Sequence, residues 1–295
     1  MIKERDSMHK CRVYLDYNIY TRLADKKFEM PAEYKKHAKI YISVAHAEEF
    51  HNAQKNDRDN QNAVQLRLIK KLLTKDLNNN GVLNPTQTSY IINKQENFSE
   101  SLKRVREHDT DTFIQKSASI MYSTYKEKYE NLRNTNKKVL SFSHLPYQDI
   151  WKQPEVIAEV NKFEAEVEVM NQSIYTVLKQ AYDPNIAREQ ARKGRFEPFP
   201  LTKDIFKGKR PQFKKLEFTM EFLQNVLNMC GYYKETTERT VKSGVYDTAH
   251  SIYATYCDFF ISEDKRLRNR LNAIYYYLGL ETRCISFQEW CDMLK

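Results

Sequence analysis

The sequence predicts an α/β protein: a parallel sheet flanked by helices and interrupted by a large, mainly α-helical segment. Three observations predict it. Four short apolar runs, 12–15, 40–44, 259–262 and 282–285, are rich in β-branched and aromatic residues. Each is followed by a helical pattern, and strand then helix, repeated, argues for a parallel sheet with covering helices. Between the second and third runs the apolar residues adopt helical spacing over long stretches.

The elements follow in order. Arg12 to Leu15 is the first strand and ends at Asp16; Ile40 to Val44 is the second. Ala63 to Leu77 carries Val64, Leu66, Leu68, Ile69, Leu72 and Leu73 at helical spacing. Ser99 to Lys138 is long, charged and reads as helix. Gln153 to Ala181 repeats that character, with Val156, Val160, Phe163, Val167 and Met170 on one stripe. Pro154 suits a first helical turn. A helix from Asp247 to Tyr256 leads into the third strand, Phe259 to Ser262, and the fourth is Thr282 to Ile285. The expected division is a discontinuous core, 1–60 plus 240–295, with 61–239 as a helical insertion.

Residues 192–215 are different. They hold nine basic and two acidic residues, with Pro198, Pro200 and Pro211 breaking regular structure. Phe196, Phe199, Phe206 and Phe213 are interleaved with the charges. Basic side chains meet phosphates and aromatic faces stack on unpaired bases, so Arg192, Lys193, Arg195, Lys207, Lys209 and Arg210 are candidate substrate contacts. The competing explanation is an extended connector pinned to the core by its Phe side chains.

Composition bounds the rest. The chain has 295 residues, 41% of them hydrophobic, with 6 Gly, which suits a folded protein without long flexible linkers. A net charge of +9 favours polyanionic partners but is also what a lysine-rich surface produces. Five cysteines, Cys11, Cys230, Cys257, Cys284 and Cys291, form no Cys-x-x-Cys pair. That argues against a disulfide framework or a thiolate zinc site, and for a reducing cytoplasm. No run is apolar and long enough to span a bilayer, so no membrane partner is expected.

Four acids punctuate these elements. Asp16 closes the first strand. Glu48 and Glu49 open the helix after the second. Asp247 opens a helix in Val245-Tyr246-Asp247-Thr248, and Asp264 follows the third strand in Ile261-Ser262-Glu263-Asp264. Residues just after parallel strands lie at the sheet's carboxyl edge, where open α/β sheets bind ligands. A helix running back antiparallel to the third strand brings Asp247 to that edge as well. Asp258 precedes the third strand, roughly 20 Å of extended chain from Asp264, and is excluded. A helix N-cap explains Asp247 singly, a strand-end turn explains Asp16, and a first-turn carboxylate explains a Glu. Their joint placement on one edge is less easily explained so. Clustered carboxylates repel unless a cation neutralises them, and hard oxygen donors suit Mg²⁺ or Mn²⁺. Such an ion supports phosphodiester hydrolysis. His250 shares a helix face with Asp247, and His46 lies three residues before Glu49. Either is a candidate supporting residue, with a packed structural role as the weightier alternative.

These stretches resemble the PIN-domain nucleases, and in particular diverged PIN-like proteins with helical insertions. Leu15-Asp16-Tyr17-Asn18 resembles their opening Asp-x-Asn motif. Ser43 to Glu49 is similar to their second motif, whose spacing selects Glu49, with Glu48 as the competitor. Asp247-x-x-His250 through Ser262-Glu263-Asp264 resembles the C-terminal signature, in which the first and last Asp are metal ligands and Ser262 matches a common Ser or Thr. The resemblance covers about residues 11–55 and 243–292.

It implies a Rossmann-like parallel sheet and Mg²⁺- or Mn²⁺-dependent endonuclease activity, more often on RNA than on DNA. Asp16, Asp247 and Asp264 would hold the principal ion, with Glu49 completing the site and Asn18, His46, His250 and Ser262 supporting it. Family members include toxins, RNA-processing enzymes and effectors of bacterial immunity, and the size and Asn/Lys-rich composition are similar to a stand-alone bacterial effector. The helical segment is the expected surface for a protein partner, a regulator or a second copy. A DNA nuclease with the same site and a non-catalytic partner-binding protein on the same fold are the alternatives.

Overall fold

A computed structural model describes residues 10–57, 60–77, 81–85, 91–108, 142–234 and 238–295. Six strands are described: β1 (Cys11–Leu15), β2 (Ala38–Ser43), β3 (Val82–Pro85), β4 (Ile91–Lys94), β5 (Phe259–Ile261) and β6 (Arg283–Ile285). They form one sheet in the order β4-β3-β2-β1-β5-β6. All neighbours are parallel except β3 and β4, which are antiparallel. The described α-helices are α1 (Tyr17–Ala24), α2 (Tyr34–His37), α3 (Val44–Asn56), α4 (Ala63–Lys71), α5 (Phe98–His108), α6 (Pro154–Val160), α7 (Phe163–Ala181), α8 (Pro184–Gly194), α9 (Phe213–Met229), α10 (Glu238–Ala254), α11 (Lys265–Leu278) and α12 (Phe287–Met293). None of them is long and apolar enough to cross a membrane.

The α/β class and the four expected strands are present, and the sheet is mixed rather than wholly parallel. β3 and β4 arise within the segment expected to be mainly α-helical. Asn84, Pro85, Asn93 and Lys94 dilute the composition that marks a strand. β3 is instead recruited by pairing, Ile42 with Val82 and Ser43 with Leu83. β4 closes the sheet as an edge strand, with Asn93 and Lys94 exposed.

Register keeps side chains of like direction in rows. Tyr14, Tyr41, Leu83, Phe260 and Cys284 point to one face; Val13, Leu15, Ile40, Ile42, Val82, Ile261 and Ile285 point to the other. Both faces are therefore apolar, as a mainly parallel sheet requires. Helices α6, α7, α9, α10 and α11 pack on the first face. Helices α1, α3, α4, α5 and α12 pack on the second. The result is a three-layer α/β/α arrangement.

Several described parts of 61–239 belong to these layers. They supply β3, β4 and α5 beside β2, and α6, α7 and α9 share one core cluster with Tyr14 and Phe260. The expected stripe forms, with Val156, Val160, Phe163 and Val167 buried, but the helix breaks at 161–162 into α6 and α7. The helix expected from Ala63 to Leu77 changes at Leu72 to a wider π-type turn, which ends with Leu77 N–H donating to the Leu72 carbonyl at 3.1 Å. The helix expected from Ser99 is seen as α5, and its remainder, 109–138, lies outside the described residues.

Connections set where a ligand can enter. β1 leads to β2 and β3 on one side, whereas β5 and β6 lie on its other side. With a constant crossover hand, the connecting helices must change face when the direction of travel reverses. The chain obeys this: α1 and α3 lie on one face and α11 on the other. The reversal leaves a crevice beyond the carboxyl end of β1, the kind of switch point where such sheets bind ligands.

Phe260 is buried in the central sheet, whereas Val64 on α4 is 63% exposed despite its place in the helical stripe. Phe260→Ala should cost about 3–5 kcal/mol by lost burial and cavity formation. Val64→Ala should stay within about 0.5 kcal/mol. Urea unfolding midpoints read both, and comparable losses would contradict the packing of α4.

Candidate functional site

Asp16 is the first residue past β1, and its side chain lies in the crevice at 3% exposure. It stands at the N-cap of α1, yet its side chain does not cap the helix. Instead Oδ2 accepts from Ser262 Oγ at 2.6 Å and from Asn18 Nδ2 at 2.7 Å. Ser262 reaches it because β5 lies beside β1 in register, Leu15 opposite Ile261. Burial pushes the Asp16 carboxyl up to about 6; Glu49 adds to the rise, while His250 and the Ser262 hydrogen bond oppose it.

Asp247 does not open a helix, contrary to the expectation. It lies in the interior of α10, which starts at Glu238, so an N-cap role is removed. The capping signal was read too late because Ser243-Gly244 interrupts the helical pattern. The edge placement survives. Removal from water pushes the Asp247 carboxyl well above its ordinary range, then the charges of Asp16 and Glu49; Arg270 opposes the rise and Asp264 adds a smaller push. Asp16, Glu49 and Asp264 thus all act on Asp247 in the same crevice.

Asp264 is the acid that does cap a helix. Its Oδ1 accepts from Arg266 N–H at 2.7 Å and Leu267 N–H at 3.0 Å at the start of α11. The structural role weighed for Asp247 belongs here. Glu49 lies in the second turn of α3, not its first, because the helix starts at Val44. Its Oε2 accepts from His250 Nε2 at 2.9 Å. Glu48 points elsewhere: burial raises its carboxyl, with His250 and Arg104 opposing, and it acts on Tyr253. Of the neighbouring pair, Glu49 is the one that acts on both Asp16 and Asp247.

The two histidines are buried and joined through Tyr14, whose hydroxyl lies 2.7 Å from His250 Nδ1, 2.6 Å from Ser43 Oγ and 3.3 Å from His46 Nδ1. Ser43 N–H donates to His46 Nδ1, so that nitrogen is an acceptor and Nε2–H donates to the Leu15 carbonyl at 2.8 Å. Burial, and then His250, keep the His46 pKa well below its ordinary value. His46 is therefore a strut that ties the start of α3 to the end of β1. In a neutral His250, Nε2–H faces Glu49, so Tyr14 donates to Nδ1 and accepts from Ser43. The chain from Ser43 through Tyr14 and His250 orients Glu49.

Tyr14 and Arg270 are site residues the motifs did not reveal. Tyr14 sits in an apolar strand and reads as core. Arg270 carried a signal: it interrupts the apolar stripe of Leu267, Leu271 and Ile274 on α11. It is 1% exposed, donates to Asn228 Oδ1 at 2.8 Å, and its charge faces Asp247.

The basic segment is not brought to the acids. Phe206 turns its backbone N–H to the Leu278 carbonyl, which anchors 204–211 at the end of α11, at the amino edge of the sheet. Lys207, Lys209 and Arg210 lie there, beside Arg12 and Asp258. Phe206 is buried, and Phe196, Phe199 and Phe213 pack on the helical layer, with Phe199 edge-on to Phe163. The Phe side chains thus pack as the connector explanation expects. Lys193 pairs with Glu189 and Arg195 with Glu168, each at 2.7 Å, and Arg192 lies in the last turn of α8. Asp258 forms a two-point contact with Arg12, to its backbone N–H at 2.7 Å and to Nη2 at 2.8 Å, which agrees with its exclusion.

A divalent cation is tested by the donors present. Asn18 Oδ1 is a buried acceptor oxygen with no hydrogen-bond partner among the described residues, on the same side chain that holds Asp16. Together with the carboxylates it makes a hard oxygen set suited to Mg²⁺ or Mn²⁺. Among the described residues, however, no group of three or more His, Cys, Asp or Glu stands arranged to hold a metal ion. Three of the four acids are committed to partners: Asp16 to Ser262, Glu49 to His250 and Asp264 to the start of α11.

The raised Asp16 carboxyl has a consequence for stability. An acid whose folded pKa exceeds its unfolded value stabilises the fold while protonated, and that contribution is lost as pH rises through about 6. A rise from 3.8 to about 6 corresponds to about 3 kcal/mol. In the absence of divalent cations, Asp16→Asn should therefore be more stable than the parent at pH 8 by up to about 3 kcal/mol. The advantage should vanish by about pH 4. Denaturant titrations across this range measure it, and parallel pH profiles would contradict a buried, charged Asp16.

Comparison with protein-family models, with curated proteins and with solved structures returned no match to this chain.

Proposed function

We propose that this chain is a metal-dependent nuclease that hydrolyses phosphodiester bonds, with RNA as the first substrate to test. One observation carries the proposal. Burial and neighbouring carboxylates raise the proton affinity of two acids in the crevice beyond β1: Glu49 acts on Asp16, and Asp16, Glu49 and Asp264 act on Asp247. Structural acids in folded proteins are commonly paired; acids gathered without a matching set of cations suit a bound cation or an acid–base role.

On this reading Asp16, Asp247 and Asp264 hold Mg²⁺ or Mn²⁺, with Asn18 Oδ1 as a further oxygen donor and Glu49 beside it. A bound ion would supply charge to a phosphate oxygen and lower the pKa of a water. The chain's own residues do the rest. Ser262 and Asn18 hold Asp16 in one orientation, so little reorganisation accompanies binding. Tyr14 and His250 hold Glu49, which is 31% exposed and able to accept a hydrogen bond from a nucleophilic water. Arg270 limits the mutual repulsion of the acids without pairing away their charge.

A non-catalytic, partner-binding protein is the second reading, favoured by the absence of a ready ligand set among the described residues. One experiment separates them. Purified protein is assayed with Mg²⁺ or Mn²⁺ on matched single-stranded RNA and DNA, beside calorimetric titration with Mn²⁺. The expected outcome is cation-dependent cleavage, lost by at least about 100-fold in Asp16→Asn and Asp247→Asn with circular dichroism unchanged. Cleavage of DNA in preference to RNA would keep the site and change the substrate. No Mn²⁺ binding and no cleavage by the parent would overturn the proposal.

A further inference from the structure

The amino edge of the sheet carries a second, separate cavity of about 400 Å³. Its size lies in the range of small-molecule sites. Phe206, Leu216 and Leu280 give it an apolar floor, and Tyr256 stands in its wall. Two guanidiniums lie by that one ring, Arg12 at 5.4 Å and Arg210 at 5.6 Å from its centroid. Arg12 is neutralised by Asp258. Arg210 and the adjacent Lys209 line the same cavity and make no ion pair among the described residues. The loop carrying them is pinned: Gly279 ends α11 in the left-handed conformation, and a Cβ there would lie 2.8 Å from Lys207 Cβ and 3.0 Å from Asp204 Cα.

We propose that this cavity binds a nucleotide unit, its phosphate at Lys209 and Arg210 and its base against Tyr256 and the apolar floor. The chemistry asks for both halves. Arg12, Lys209 and Arg210 outnumber the lining carboxylates Asp258 and Glu281, and the two cations without an ion pair among the described residues favour an anion with several acceptor oxygens. A half-buried aromatic ring above an apolar floor favours a planar group over a bare inorganic ion. The source of the nucleotide is either a free mononucleotide or the phosphorylated end of a strand. The site lies at the opposite end of the strands from Asp16 and does not depend on the nuclease reading.

Calorimetry on the full chain, without divalent cations, tests it with the four nucleoside 5′-monophosphates, adenosine and inorganic phosphate. At least one monophosphate should bind, with adenosine and inorganic phosphate each weaker by about tenfold or more. The double variant Lys209→Ala/Arg210→Ala should lose about tenfold or more in affinity, since it removes both charged contacts to the phosphate. Both residues are exposed, so its melting temperature should match the parent. Asp16→Asn should bind as the parent does, which separates this site from the acidic crevice. Displacement of the bound monophosphate by a short 5′-phosphorylated oligonucleotide would identify a strand end as a source; failure to displace would assign the free nucleotide. Binding of none of the four monophosphates, or undiminished binding by the double variant, would overturn the proposal.

Discussion

Asp16 is a carboxylate held at 3% exposure at the end of the central strand. Leaving such a group unsolvated is costly unless hydrogen bonds replace the water. Ser262 and Asn18 provide them, and both depend on larger features. Ser262 is within reach because β5 runs parallel to β1 in the register that sets Leu15 beside Ile261. Asn18 is within reach because α1 starts immediately after the strand. Satisfying this one acid thus constrains the placement of β5 and the start of α1.

The same logic extends through Tyr14. A tyrosine in a doubly covered sheet must find a partner for its hydroxyl. Here it meets Ser43 and His250, one at the end of β2 and the other in α10. A single buried group therefore locks two strands and a helix from opposite ends of the sequence. Glu49 is oriented by that lock, and His46, at 2.8 Å from the Leu15 carbonyl, ties the same helix to the end of β1. These polar contacts specify geometry more than they add stability, since a net hydrogen bond contributes about 1 kcal/mol.

The acids of the crevice and the cations of the basic loop lie at different edges of the sheet. Asp16, Glu49, Asp247 and Asp264 gather at the carboxyl edge, whereas Lys207, Lys209, Arg210 and Arg12 lie at the amino edge. A net charge of +9 therefore conceals an acidic crevice. Counting basic residues in 192–215 located cations but not the edge on which they fall. The Phe residues among them are used in packing, because an extended connector crossing an apolar helical layer buries what it can.

The sequence by itself determined the α/β class and the four strands, because apolar runs buried on both faces leave a local imprint at β1, β2, β5 and β6. It also determined that Asp16 and Asp264 share an edge, since a residue just past a parallel strand has nowhere else to be. Tertiary structure alone decided the rest. β3 and β4 exist through pairing with β2 and with each other, not through their composition. Asp247 belongs to the interior of a helix whose start lies nine residues earlier, at Glu238, and capping signals do not reveal where packing allows a helix to begin. Motif spacing already favoured Glu49 over Glu48; what the tertiary structure added is the contact of Glu49 with His250, 201 residues away. The burial of Arg270 and the position of the basic loop likewise depend on contacts between distant segments, which no local pattern encodes.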